Sequence, residues 1–196
     1  MTVALALTVA ASVALGGVSI AGPALIKADV EEPVLQETMG GCSLLCAFRW
    51  TAELLPPGSG KAQVLKVLFD ESAESAWVAG PEPKSSGIGT RIRLVFPARL
   101  PKEMEGNTPV YGLDLVNGHW REELWSQYGR VKKLRLYYND KPLRDIAFAD
   151  SRRWQRSMFP DQMVRSGDSI TIEILEIYPG TRHGLAISEV VLQGAH

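Results

Sequence analysis

The clearest pattern along the chain is an alternation of apolar and polar side chains that begins near residue 88. In residues 91–96 the apolar side chains of Ile92, Leu94 and Phe96 fall on one face, as they do in a half-buried strand. The same period of two recurs in residues 111–115, 131–138 and 169–174, and a last strand is predicted over 185–192. No stretch after residue 60 keeps a helical period over three turns. Short, regularly spaced strands of this kind predict an all-β sandwich or barrel.

Two local features refine this strand pattern. The segment Asn139-Asp-Lys-Pro142 consists of turn-forming residues and separates two alternating runs, so it predicts a β-hairpin. The alternation of residues 169–174 then slips by one residue to Leu175 and Ile177, which predicts a β-bulge.

The N-terminal segment has a different character. Residues 1–26 carry no charge and are rich in Ala, Val and Leu, which is typical of the apolar region of an export signal. The stretch is also long enough to span a bilayer as a signal anchor, and small residues that suit cleavage end at Ala21, Ala24 and Ala28. We therefore assign residues 1–28 to a signal peptide or signal anchor and predict a secreted or envelope-associated protein. Membrane contact is expected only through this segment, if it is not cleaved.

Residues 29–60 are predicted to be a linker, because Pro and Gly are frequent there and interrupt both helices and strands. The segment contains the only two cysteines, Cys42 and Cys46, which an exported protein can keep as a disulfide. Closing so short a loop stabilises by only about 2 kcal/mol. A zinc site would need further Cys or His ligands nearby, and a lipoprotein motif would lie closer to the apolar segment, so we favour the disulfide. Residues 61–196 are assigned to one domain.

The composition of the chain mainly excludes one class of partner. The 196 residues are 45% hydrophobic and 22% charged, with a formal net charge of −1, as is ordinary for a globular chain. Lys and Arg are scattered among Asp and Glu, whereas capture of nucleic acid requires a basic stripe. A nucleic-acid partner is therefore not expected.

The sequence also lacks the usual catalytic patterns. It has three histidines and no Gly-x-Ser-x-Gly nucleophile elbow. Glu122 and Glu123 are adjacent on a segment predicted to be extended or loop, so they would point apart, unlike the carboxylate pair of a glycosidase. We therefore predict that the protein is not an enzyme, with an unrecognised hydrolase as the alternative.

Three pairs of segments carry a family resemblance. In chain order they are Phe69-Asp-Glu-Ser-Ala-Glu-Ser-Ala-Trp-Val78 with Gly87-Ile-Gly89, Val116-Asn-Gly-His-Trp120 with Arg130-Val-Lys-Lys-Leu134, and Ile177-Tyr-Pro-Gly-Thr181 with Ile187-Ser-Glu-Val190. Over residues 62–193 they resemble the NADase-type glycan-binding domain, a discoidin-like module named for the translocation domain of bacterial NAD glycohydrolases. The segment Gly41-Cys-Ser-Leu-Leu-Cys46 is similar to the cysteine turn that often precedes this module. The resemblance implies a discoidin-like jelly-roll β-sandwich with a binding role rather than a catalytic one.

Aromatic and hydrogen-bonding residues between the strands are the candidate glycan ligands. A sugar stacks its C–H face on an aromatic ring while polar side chains bond its hydroxyls, and the loops of a sandwich carry recognition. The candidates are Trp120, Trp125, Trp154, Arg182 and His183. Core packing is the alternative for each tryptophan. We prefer core packing for Trp77, and the sequence leaves both roles open for Trp120 and Trp125.

Discoidin-like folds often carry a structural calcium ion, so the resemblance makes a calcium site a candidate to be tested against the sequence. In the wider superfamily the site resembles Asp-Gly-Asp-x-x-Thr-x-Trp together with a glutamate near the C-terminus, and this chain offers Asp70, Ser75, Trp77 and Glu189. Glu71 replaces the glycine and Ser72 the second acid. Because calcium takes six to eight oxygen ligands, the loss of a carboxylate and of a flexible glycine counts against the ion. The alternative is that Asp70 caps a turn and Glu189 pairs with an arginine. No other cofactor is predicted.

Together these patterns predict an exported, non-catalytic carbohydrate-binding module. It would recognise a glycan or glycoconjugate through loops at one end of a jelly roll. The alternative is a structural or protein-interaction module of the cell envelope or of a secreted complex, and a glycan array separates the two.

Overall fold

The computed structural model describes residues 22–30, 50–55, 65–70, 72, 74–79, 87–182 and 184–195. Within these ranges nearly all regular structure is β. Cys42, Cys46 and most of the predicted export segment lie outside them, so the predicted disulfide stays a prediction. In the part of the chain described, no helix is both long and apolar enough to cross a membrane.

The described residues form eleven strands in two sheets. The strands are β1 (Leu25–Lys27), β2 (Asp29–Val30), β3 (Thr51–Leu55), β4 (Trp77–Ala79), β5 (Arg91–Val95), β6 (Thr108–Asn117), β7 (Arg130–Tyr138), β8 (Lys141–Ala147), β9 (Trp154–Val164), β10 (Ser169–Tyr178) and β11 (Leu185–Gly194). A 3-10 turn spans Lys66–Leu68, and a four-residue helix, α1, spans Glu122–Trp125. One sheet has the order β1-β8-β7-β10-β5-β3 and the other β2-β9-β6-β11-β4. The predicted β-sandwich is confirmed.

The six-stranded sheet contains the strands with the clearest alternation. Its register places Ile172 of β10 between Ile92 of β5 and Leu136 of β7, and all three side chains are at most 2% exposed. The polar residues between them face outward, where Arg135 binds Asp145 at 2.6 Å and thereby lowers the pKa of that carboxyl. The period of two thus separates the apolar core from a charged outer face.

The predicted hairpin and bulge are both confirmed. Strands β7 and β8 are joined at Asn139 and Asp140, whose φ angles of 48° and 61° are typical of the left-handed turn that matches the twist of a hairpin. The register between β10 and β7 shifts between Ile174 and Glu176, where the alternation slips in the sequence.

Strand β9 is not predicted by the alternation, because its inward-facing residues are partly polar. Gln155 is fully buried and its Oε1 accepts the N–H of Ala149 at 2.7 Å. Ser157 donates to the carbonyl oxygen of Leu113 on β6 at 2.9 Å. Trp154, predicted to lie before a strand, is the first residue of β9 and pairs with Val116 of β6. This pairing brings the connection after β6 beside the connection before β9.

Three short strands come from the region upstream of residue 61. Strand β3 pairs with β5, strand β1 pairs in parallel with β8, and strand β2 pairs with β9. Ile26 and Leu54 pack against the core. The sandwich therefore extends into residues 1–28 and 29–60, which the sequence assigns to the export segment and the linker, because strands of two to five residues leave no recognisable period.

Trp77 on β4 belongs to the core. Its side chain is 3% exposed and lies in the apolar cluster between the two sheets, which confirms the preference for core packing.

Replacing Trp77 with alanine should lower the free energy of unfolding by about 3–5 kcal/mol, because the surrounding strands cannot close a cavity of that size. Urea denaturation of the whole chain measures the change. Trp120→Ala, at a half-buried position outside the core, is the matched control and should cost less than about 1 kcal/mol. Equal losses in the two variants would contradict the assignment of Trp77 to the core.

Candidate ligand-binding site

A cleft lies where β6 ends and β9 begins. Its volume is about 240 Å³, and it is lined by Val116, Asn117, His119, Trp120, Trp125, Arg152 and Arg153. Pockets that enclose drug-sized molecules measure roughly 300–1,000 Å³. The cleft therefore suits one small ring rather than an extended ligand.

The end of β6 is held by hydrogen bonds to Val131 of the opposite sheet and to the indole of Trp125. The side-chain amide of Asn117 bridges to the opposite sheet, donating to the carbonyl oxygen of Val131 at 2.6 Å and accepting its N–H at 2.7 Å. Gly118 then turns the chain with a φ of 78°, a conformation that favours glycine. A Cβ atom at this position would lie 2.7 Å from Nε1 of Trp125. The tight turn and the approach of the indole therefore both require glycine.

Trp125 forms a fixed wall of the cleft. It ends helix α1, and its indole N–H donates to the carbonyl oxygen of Asn117 at 3.1 Å. The guanidinium carbon of Arg130 lies 4.5 Å from the centre of the Trp125 ring, a distance typical of a cation–π contact. Glu122 and Glu123 also lie on this helix, so the prediction of an extended or loop segment was wrong. Backbone hydrogen bonds from Leu124 and Trp125 to the carbonyl of Arg121 close the helical turn.

Trp120 is held mainly through its backbone. Its carbonyl oxygen accepts a hydrogen bond from Nη2 of Arg152 at 2.8 Å, and the Arg121 guanidinium lies 5.4 Å from the centre of its ring. The side chain is half-buried. The Trp120 ring is therefore fixed by a cation–π contact, whereas the Trp125 ring is fixed by both a cation–π contact and a hydrogen bond.

His119 lines the cleft beside Trp120. Its ring stacks on Tyr128 with centroids 5.7 Å apart, and Nδ1 accepts the backbone N–H of Arg121 at 3.2 Å. Partial burial, reinforced by the charge of Arg121, lowers the pKa of His119, while Glu123 acts in the opposite direction. The lowered pKa favours the neutral imidazole, and because Nδ1 accepts a hydrogen bond, the proton of that form lies on Nε2.

Two arginines complete the lining. Arg152 binds Glu122 at 3.3 Å, with side-chain exposures of 41% and 87%, and the backbone N–H of Arg153 donates to Oγ of Ser151 at 3.2 Å. Among the lining residues that the structure describes, none carries a carboxylate. The lining therefore includes two guanidinium groups, and that of Arg152 is paired with Glu122.

Arg130 connects the segments around the cleft. Its side chain is 8% exposed, and Nε and Nη2 bind the two carboxylate oxygens of Asp150 at 2.8 and 2.9 Å. Its Nη1 donates to the carbonyl oxygens of Tyr128 at 3.0 Å and Pro179 at 3.2 Å. We call this group, Arg130 with Trp125, Tyr128, Asp150 and Pro179, the Arg130 cluster. It joins three connections that are distant in sequence.

The loop after β10 packs against the residues that follow helix α1. A Cβ atom on Gly180 would overlap the backbone of Gln127 and Tyr128, so glycine is required for this close approach. The backbone N–H of Thr181 donates to Ser126 at 3.2 Å and that of Arg182 to Gln127 at 2.6 Å. This loop therefore supports the helix that carries Trp125.

The structure brings two of the five predicted glycan ligands together. Trp120 and Trp125 line one cleft. Trp154 is half-buried in β9 and is not a lining residue, and Arg182 is exposed on the neighbouring loop. His183 lies outside the described residues.

Sequence reasoning missed His119, Arg152 and Arg153 as members of the site. All three stand beside predicted tryptophans in the sequence, which is the only local signal. What places them together is the pairing of β6 with β9, two strands that are not consecutive in the chain.

The residues predicted to bind calcium also lie close together. Asp70 and Glu189 both accept the backbone N–H of Ser72, at 3.0 and 3.2 Å. Oγ of Ser75 lies 3.0 Å from Oδ2 of Asp70, 3.3 Å from the carbonyl oxygen of Val67 and 3.4 Å from that of Ser72. A hydroxyl has one proton, so it cannot satisfy three acceptors at once. Across the described ranges no group of three or more His, Cys, Asp and Glu side chains is placed to hold a metal ion.

Replacing Arg130 with lysine should lower the free energy of unfolding by about 1.5–3 kcal/mol, which is the typical contribution of a hydrogen bond to a charged group. Lysine keeps the charge but lacks the planar fork and the stacking surface. Arg152→Lys, at an exposed arginine, is the control and should change stability by less than about 0.5 kcal/mol. Denaturant unfolding measures both, and an unchanged midpoint for Arg130→Lys would show that the cluster does not stabilise the fold.

Solved structures share this fold. The CBM32-1 and CBM32-2 domains of ZmpB from Clostridium perfringens give a TM-score of 0.55 at 9% identity, and the match covers 89% of this chain and 42% of that one. The same domains in complex with GalNAc give 0.53 at 8% identity, covering 89% and 41%. The family 32 module of C. perfringens NanJ, in complex with galactose, gives 0.49 at 10% identity, covering 73% and 92%. No curated protein sequence shows significant similarity to this chain.

The sequence itself matches a family over most of its length. Residues 50–193 match the family described as the NAD glycohydrolase translocation F5/8 type C domain, and they run from the residue before β3 into the end of β11. The resemblance that the sequence motifs predict is therefore confirmed. The chain belongs to the family of NAD glycohydrolase translocation F5/8 type C domains.

Proposed function

We propose that this protein is a non-catalytic carbohydrate-binding module that holds one sugar residue of a glycan in the cleft between β6 and β9. One observation carries the proposal. The cleft places the indoles of Trp120 and Trp125 next to the nitrogen donors of His119, Arg152 and Arg153, in a volume of about 240 Å³. The ZmpB domains, which share the fold, are described in complex with GalNAc, and this supports the proposal.

The two tryptophans have different parts in this proposal. Arg130 and the carbonyl of Asn117 fix Trp125, so this ring forms a rigid wall. Trp120 supplies the second aromatic surface, against which the C–H face of a sugar can stack. A preformed wall reduces the entropy lost when the ligand is ordered.

The polar groups suit binding rather than acid–base catalysis. Nδ1 of His119 already accepts a hydrogen bond, so the neutral ring offers the cleft only its Nε2 proton. A guanidinium does not give up its proton in proteins. The lining therefore donates hydrogen bonds to a ligand and provides no general base.

We also propose that the protein is exported through the charge-free segment of residues 1–26. The position of strand β1 determines which cleavage sites would leave the six-stranded sheet intact. Cleavage after Ala21 or Ala24 would keep strand β1, whereas cleavage after Ala28 would remove it together with the contacts between β1 and β8.

Calorimetric titration with the best ligand from a glycan array tests the binding proposal. Trp120→Ala should weaken binding by about 1–2 kcal/mol, or roughly 5–30-fold in Kd, the typical effect of removing an aromatic anchor. Trp154→Phe changes a half-buried tryptophan outside the lining and should leave Kd unchanged. Equal Kd values for Trp120→Ala and the parent would place the site elsewhere. If no glycan binds, the alternative of a structural or protein-interaction module takes its place.

We further propose that Asp70, Ser75 and Glu189 hold a structural calcium ion together with nearby backbone carbonyls. The support is the crowding of three acceptor oxygens around the single hydroxyl of Ser75. A bound cation would relieve that crowding, since calcium prefers carboxylate, hydroxyl and carbonyl oxygens.

Calcium should therefore raise the melting temperature of protein that has been treated with chelator. At a hundredfold excess over Kd the stabilisation is about 2.7 kcal/mol, which corresponds to a shift of roughly 5–10 °C for a domain of this size. Ser75→Ala and Glu189→Gln should abolish the shift, while Glu103→Gln, at an exposed residue of the β5–β6 connection, should keep it. A calcium-independent melting temperature in the parent would exclude the site.

A further inference from the structure

The side chain of His119 is bonded to the backbone on the far side of Trp120. Nδ1 of the imidazole accepts the backbone N–H of Arg121 at 3.2 Å, so a side chain and a peptide group two residues apart close a ring around Trp120. A side-chain acceptor that binds the N–H two residues further on stabilises a turn of the backbone. The imidazole itself stacks on Tyr128, with ring centroids 5.7 Å apart. The His119 ring is therefore held in place, and it fixes the backbone of Trp120.

The same hydrogen bond also acts on helix α1. Arg121 is the N-cap of this helix, and its carbonyl oxygen accepts the N–H groups of Leu124 and Trp125 at 3.0 and 2.9 Å. Arg121 thus receives the helix on its carbonyl side and is bonded to His119 on its N–H side. One hydrogen bond therefore influences the position of both tryptophans that line the cleft.

Only one protonation state of His119 can form this hydrogen bond. A neutral imidazole with its proton on Nε2 has an acceptor at Nδ1, whereas an imidazolium carries protons on both nitrogens. Protonation would therefore bring two donors together, Nδ1–H and the N–H of Arg121, and break the contact. The Nε2–H group is present in both states, so a direct hydrogen bond from Nε2 to a ligand would survive protonation.

The surroundings of the imidazole favour the neutral state. The titratable and charged groups around it come from helix α1 with its flanking residues and from the connection before β9, and they are Arg121, Glu122, Glu123, Tyr128, Arg152 and Arg153. Partial burial lowers the pKa of His119, the charge of Arg121 lowers it further, and Glu123 opposes the shift. The hydrogen bond to Arg121 is therefore favoured at neutral pH and is lost as the pH falls through the lowered pKa.

We propose that His119 is a positioning residue, whose neutral imidazole holds the backbone of Trp120 and Arg121 in the arrangement that binds the sugar, so that acidification weakens binding. The inference rests on the proposed glycan-binding function and adds a protonation-dependent control of that site.

The first measurement requires no ligand. In proton–nitrogen correlation spectra of the whole chain, the amide proton of Arg121 should move upfield as the pH falls, because it loses its acceptor. The midpoint of this change should equal that of the His119 ring protons. The amide of Val131, whose acceptor is the uncharged side chain of Asn117, is the internal control and should not follow this titration. An Arg121 amide that does not titrate with His119 would overturn the positioning role.

The second measurement is the Kd of the best ligand from a glycan array, determined by calorimetry at neutral pH and about one pH unit below the midpoint of His119. About one imidazole in eleven is then neutral, so Kd should rise at least about threefold and at most about elevenfold. A role limited to a hydrogen bond from Nε2 predicts an unchanged or smaller Kd at the lower pH, and that result would overturn the proposal.

Three variants assign the pH dependence to His119. His119→Asn supplies a side-chain oxygen that can accept the same N–H and does not titrate, so the ratio of the two Kd values should fall to about one. Arg121→Gln and Glu123→Gln remove opposite charges at two exposed positions, and they should raise and lower the midpoint, respectively. Circular dichroism at both pH values confirms that each variant is folded. A His119→Asn variant with the Kd ratio of the parent would assign the pH dependence to another group and overturn the proposal.

The outcomes separate this inference from the proposed function. A glycan that binds with the same Kd at both pH values would overturn the role of His119 while leaving the glycan-binding proposal intact. If no glycan in the array binds, the proposed function fails and this inference fails with it, even where the Arg121 amide titrates with His119.

Discussion

The cleft depends on one buried guanidinium. Removing a cation from water is costly unless its hydrogen-bond donors are satisfied, and Arg130 meets that requirement through Asp150 and the carbonyls of Tyr128 and Pro179. Each partner belongs to a different inter-strand connection. Satisfying one buried charge therefore fixes three chain segments relative to each other, and the contact with Trp125 extends this order to the wall of the cleft.

The connections around this guanidinium pack too closely to rearrange freely. Side chains at Gly118 and Gly180 would collide with the Arg130 and Trp125 side chains and with the backbone of Gln127 and Tyr128, respectively. Both glycines fall within motifs by which the sequence resembles its family. The physical role of these motifs is thus partly to let connections approach, which explains why they predict the fold more firmly than they predict the ligand.

The sequence predicts strands that are apolar on one face and polar on the other. It fails to predict strands whose inner face is partly polar. Strand β10 has a fully apolar inner face and was correctly predicted together with its bulge, whereas β9 places Gln155 and Ser157 inward and interrupts the pattern with Pro160. The candidate site shows the same limit. Trp120 and Trp125 are close in sequence and were identified together, but their arginine neighbours depend on the pairing of β6 with β9. That pairing is long-range, and its sequence signal is hidden by the polar interior of β9.

The distribution of charge follows from this topology as well. A net charge of −1 with scattered Lys and Arg predicts no basic stripe for a polyanion, which needs many phosphate contacts. It says nothing about how the charges pair, because a pair such as Arg135 and Asp145, whose atoms lie 2.6 Å apart, depends on which strands are neighbours. Beside the cleft the same topology pairs Arg130 with Asp150 and Arg152 with Glu122, so the fold distributes a nearly neutral composition as matched pairs between segments that are distant in sequence.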